Sequence, residues 1–156
     1  MKTKRICYLY QILINLNKMG TVFNADGTYY QAENENYLTE TLTASTTLTA
    51  NDSGKTFNIA TDALVVTLPS TALNLEYTFV NTGADGANII TISPAAADGI
   101  NGTITLASTI VELSGVANKD LINTKSTATT GNTVKIKGNG IQGWDVLHST
   151  GIWASE

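Results

Sequence analysis

The chain has 156 residues, enough for one ordinary domain, and with 42% hydrophobic and only 14% charged residues it lacks the self-repulsion of a disordered polymer. A net charge of −4 argues against the clustered cationic surface that nucleic acid requires, and the single cysteine, Cys7, excludes an intrachain disulfide or a thiolate zinc cluster. Frequent threonine, with 13 glycines against 2 prolines, favours short β-strands divided by glycine turns and leaves little helix.

Residues 1–18 join a basic start, Met1 to Arg5, to a mostly apolar run from Ile6 to Leu16. The pattern matches a secretory signal only in part. Gln11 and Asn15 interrupt it, no small-residue cleavage site follows, and it is too short to span a bilayer as a helix. A packing arm and a start placed ahead of the natural one at Met19 are the other two readings. Residues 19–41 read as a hairpin and polar linker. Thr21-Val-Phe23 and Thr28-Tyr-Tyr-Gln31 flank a turn at Asn24 to Gly27, and Glu33, Glu35 and Glu40 lie in a solvated stretch.

The main domain is expected over residues 42–156. Thr46 to Ala50 leads into Asn51-Asp-Ser-Gly54, whose short polar side chains bond locally and whose glycine tolerates positive φ. Lys55 to Ile59 alternates as a half-exposed strand, whereas Ala63 to Leu68 is nearly all apolar and reads as a buried one. Pro69 ends it, and Leu75 to Val80 places Leu75, Tyr77 and Phe79 on one face. Asn88 to Ile92, Gly102 to Leu106, Thr109 to Leu113 and Thr133 to Lys137 repeat the strand signature between Asp-Gly and Ser-Gly turns. Gly138-Asn-Gly140 turns the last of these into Gln142 to Leu147, with Trp144 against the core. Ala95 to Ala97 and Val116 to Leu121 read as single helical turns. The fold expected is all-β, a compact antiparallel β-sandwich or barrel with a short N-terminal arm.

Residues able to carry chemistry are few. His148, the one histidine, stands near Asp145 and Ser149, but neighbours on one strand point to alternate faces and cannot converge as a triad. Asp26, Asp52, Asp85 and Asp98 occupy turns without the dense oxygen ligands of a calcium loop. Gly138 to Gly143 lacks the lysine and the following helix of a phosphate loop. Lys135 and Lys137 share a strand face, and Trp144, Trp153, Tyr29 and Tyr30 are surfaces on which sugar rings stack, although packing is the simpler role for each. No catalytic, cofactor-binding or metal-binding residue is assigned, and binding rather than turnover is the expectation.

The strings Leu48 to Phe57, Val65-Val-Thr-Leu-Pro69 and Leu75 to Val80, followed by Asp98 to Gly102, Gly143 to Leu147 and Gly151-Ile-Trp153, resemble a β-module of tailed-phage capsid decoration, head-fibre and tail-fibre proteins. The resemblance covers roughly Leu48 to Trp153. It implies a non-enzymatic, commonly trimeric domain on a virion surface, partnered by the major capsid protein or other virion subunits and engaging neither nucleic acid nor membrane. The alternative it carries is a fibre adhesion module that recognises a host-surface glycan through polar loops such as Asp98 to Asn101.

Overall fold

The computed structural model describes Thr21–Phe23, Tyr29–Gln31 and residues 38–156, and it divides into two compact units at Tyr37 and Leu38. In the first unit, β1 (Thr21–Phe23) pairs antiparallel with β2 (Tyr29–Gln31), with Val22 opposite Tyr30, as the hairpin pattern predicts. The expectations for residues 1–18, for the turn at 24–27 and for most of the polar linker lie outside the described residues.

The second unit is all-β. Its strands are β3 (Thr39–Leu42), β4 (Thr46–Thr47), β5 (Thr56–Ile59), β6 (Leu64–Thr67), β7 (Glu76–Asn81), β8 (Ile90–Ser93), β9 (Gly99–Leu106), β10 (Thr109–Ser114), β11 (Leu121–Asn123), β12 (Thr133–Gly138), β13 (Gly143–Thr150) and β14 (Ala154–Ser155). They build a seven-stranded sheet, β10-β9-β13-β12-β7-β5-β3, and a five-stranded sheet, β14-β11-β8-β6-β4, which pack face to face as a sandwich.

Strand direction departs from the antiparallel expectation, because both sheets are mixed. From β3 to β8 the chain changes sheet after every strand. Each strand therefore returns beside its predecessor but one, running the same way, and β3, β5 and β7 are parallel, as are β4, β6 and β8. The crossover that a parallel pair needs is here a strand of the opposite sheet. Inward side chains stack along this coil: Phe57 beside Phe79, Ile59 beside Asn81, and Val66 beside Ile92. From β9 onward the chain makes the β9–β10 and β12–β13 hairpins and its pairs are antiparallel except for β13 beside β9, which is parallel, and β12 and β11 seal the coil against β7 and β8. Alternation every second residue looks the same in either direction, which is why sequence pattern identifies the strands and not their sense.

The core lies between the sheets. Phe57, Ile59, Val66, Tyr77, Phe79, Ile90, Ile92, Val134, Ile136, Trp144 and Trp153 are fully buried. Phe57 stacks on Phe79 with ring centroids 5.6 Å apart, and Tyr77 meets Trp144 at 5.4 Å. β6 proves half-exposed, since Val65 on its outer face is 36% accessible while Leu64 and Val66 are buried. Ala95 to Ala97 forms a turn in which Asp98 N–H bonds to Ala95 O, and Val116 to Leu121 is a turn that runs into β11. Thr39 to Leu42, apart from its last residue expected in the linker, is an edge strand of the larger sheet.

Candidate functional site: a slot between β9 and β13

Two central strands of the larger sheet separate part-way along their length. β13 and β9 pair in parallel over Gly143 to Asp145 and Gly99 to Asn101, and there the ladder stops. Gly102 adopts φ +121°, and a Cβ at that position would stand 3.0 Å from Val146 Cβ, so this close approach requires glycine. On the other side β13 carries a bulge: Ile136 lies opposite Val146 and Lys135 opposite His148, which leaves Leu147 as the extra residue.

Beyond this point the strands flank a half-open cleft of about 280 Å³. Thr103, Ile104 and Thr105 form one wall, Val146 to Ser149 form the other, and Ile110 of β10 stands at the rim. The slot is closed at both ends. The Asn101–Asp145 pairing shuts one, and at the other Trp153 N–H donates to Thr105 O at 2.9 Å. Gly115 N–H bonds to Ile100 O, so alternate β9 residues direct their backbone groups to β10, and Asn101, Thr103 and Thr105 direct theirs the other way. The N–H and C=O of Thr103 therefore face the slot.

The residues singled out from sequence fall as follows. His148 is exposed on the outer face beside Lys135, whereas Ser149 lies opposite buried Val134 on the inner one. Asp145 accepts from Asn139 Nδ2 at 3.0 Å. The three do not meet. Among the described residues no three or more His, Cys, Asp or Glu side chains cluster as metal ligands. Asp52 accepts from Thr49 and Lys55, Asp85 from Thr130 N–H and Asp98 from Thr71 N–H, all turn-fixing roles, while Asp26 lies outside the described residues. Lys135 and Lys137 flank Glu76, at 2.8 and 3.8 Å, so one carboxylate offsets part of the charge of the pair.

Trp144 and Trp153 are buried and offer no stacking surface for a sugar; Tyr29 and Tyr30 are described only as backbone, in β2. The polar loop expected at Asp98 to Asn101 is instead the start of β9, with Asp98 largely buried. Three carboxylates sit below their usual pKa range. Lys55 holds Asp52 down, Lys125 holds Asp62 down and Lys135 holds Glu76 down, and none of them lines the slot.

Sequence reasoning did not find this slot. The sole hint is Asn101-Gly102 inside an otherwise regular strand pattern, because an interior strand glycine marks a bulge or a close backbone approach. No helix among the described residues is long and apolar enough to cross a membrane. Compared with known proteins, the chain matches no family model and no curated sequence.

Proposed function

We propose that this chain is a non-enzymatic structural subunit of a phage virion, a capsid decoration protein that packs on the outer surface of the shell as a homotrimer. The observation that carries this reading is the free edge of β10. That strand ends the seven-stranded sheet, it is six residues long with exposed Glu112 as its one charge and no proline, and Ile110 on it is 79% exposed. Folded proteins normally blunt such an edge with charge, a bulge or a covering segment. Exposed Leu106 and Val116 extend the apolar surface, and a groove of about 180 Å³ runs beside Val111, Leu113 and Val116. A neighbouring subunit would bury all of this.

The virion setting rests on the resemblance of Leu48 to Phe57, Val65 to Pro69 and Leu75 to Val80, strings that contribute to β5, β6 and β7 of the coil. Light scattering of the full chain should give the mass of a trimer, and the chain should co-sediment with capsid shells stripped of accessory proteins. A monomer that stays in the supernatant would overturn the proposal. A second reading, a head-fibre or tail-fibre adhesion module, is favoured by one observation, the polar slot between β9 and β13.

A further inference from the structure

We infer that the slot between β9 and β13 binds a single neutral sugar ring. The inference deepens the adhesion reading and does not depend on the oligomeric state. Its volume, about 280 Å³, lies just under the roughly 300 Å³ at which ligand cavities begin, so the occupant is small. Closure at both ends excludes an extended peptide, which would need an open channel along the strands to add itself to the sheet. Neither lysine nor arginine lines the slot, and the nearest cation in register, Lys135, is held by Glu76 at 2.8 Å, so phosphate and carboxylate ligands lack a counter-charge. A wholly apolar guest would strand the half-buried hydroxyls of Thr105 and Ser149.

What remains is a compact molecule with hydroxyls along its edge and C–H groups on its face. Threonine and serine hydroxyls both donate and accept, as sugar hydroxyls do, and the imidazole and the Thr103 backbone groups add directional partners. Leu147, 51% exposed through the bulge, supplies the apolar surface for the ring face.

The test is a titration of the ¹⁵N-labelled full chain with free galactose, glucose, mannose, N-acetylglucosamine and rhamnose, followed by amide NMR shifts. At least one sugar should give saturable shifts centred on Thr103 to Thr105 and Val146 to Ser149. The double substitution Thr103→Val with Thr105→Val, which keeps side-chain shape and strand preference, should weaken that sugar about tenfold, as should His148→Ala. Spectra away from the slot report that each variant remains folded. Methyl glycosides that bind as well as the free sugar identify a glycan terminus, and glycosides that do not bind identify a free sugar; both support the sugar class. The inference fails if no sugar shifts the slot, if the double variant binds unchanged, or if inorganic phosphate or a threonine-valine peptide shifts the slot where sugars do not. Capsid co-sedimentation is read separately, so either result leaves the other interpretable.

Discussion

Asn123 joins β7, the turn before β12 and the segment before β14 through one amide. Its Oδ1 accepts from Asn81 Nδ2 at 2.8 Å, and its Nδ2 donates to Asn132 Oδ1 at 3.0 Å and to Ile152 O at 2.9 Å. All three asparagines are buried, so removing the hub leaves polar groups without partners, each costing about 1–3 kcal/mol. Asn123→Ala should lose about 3 kcal/mol or more in urea unfolding, well beyond the cost of the lost atoms alone. Asn88 is equally buried but its amide makes no such bond, and nothing in the fold explains it. The surface ion pairs act differently. Asp52 is lowered from 3.8, chiefly by the hydrogen bond from Lys55, so its contribution is present above the ordinary carboxylate range and is lost as pH falls through its lowered pKa. Lys55 is raised from 10.5, chiefly by Asp52, so its contribution is complete below that value and is lost as pH rises through the raised one. Thermal midpoints should therefore be level through neutral pH and drop at the acid and alkaline ends. Asp52→Asn should flatten the acid drop at a cost of about 1 kcal/mol or less at pH 7. At this scale the isolation of His148 was legible from its spacing, whereas the asparagine network was not, since it joins residues from four separate loops and strands.

Among the elements, glycines sort by what surrounds them. Gly143 has φ +143°, and a Cβ there would strike the backbone of Gly99, whose own Cβ would strike Gly115. Gly54 has φ +88° but open space around it. Gly143→Ala should accordingly cost about 3 kcal/mol or prevent folding, while Gly54→Ala should cost only the 1–2 kcal/mol or so of left-handed backbone, a contrast that parallel chemical denaturation would show. Sequence revealed β5 to β10, β12 and β13, and the clearest buried alternating faces are those of β5, β7, β8 and β12. β3 was hidden because Thr39-Glu-Thr41 is exposed and polar, and β11 because three residues after a turn are too short for any period to register. The slot was hidden for a third reason. A bulge is a property of pairing between two strands, and neither strand's sequence records it alone.

At the scale of the whole molecule, fold class was readable from composition and turn spacing, but strand order was not. The coil has no sequence repeat to betray it, since the equivalent positions Thr39, Thr56 and Thr78 are unevenly spaced and their connections differ in length. The proposed function turns, at this scale, on the β10 edge. Ile110→Lys should leave each chain folded, because the side chain is in solvent in the single chain, yet it should convert a trimer to monomers, remove any concentration dependence of the thermal midpoint and abolish co-sedimentation with shells. Retained assembly in that variant would move the interface elsewhere on the molecule.

The clamp made by Trp153 also bears on how the chain is synthesised. Its backbone N–H holds Thr105, its indole N–H holds Thr150 at 2.9 Å, and Ile152 beside it holds Asn123. These contacts tie the last-made part of the unit to strands translated far earlier. While the ribosome is still reading through β13, the parallel coil has its own stacked interior but lacks the residue that locks it shut. The nascent domain would then carry open strand edges until Trp153 clears the exit tunnel, so closure waits for that residue, and a chaperone that shields β-edges would have its window before it emerges.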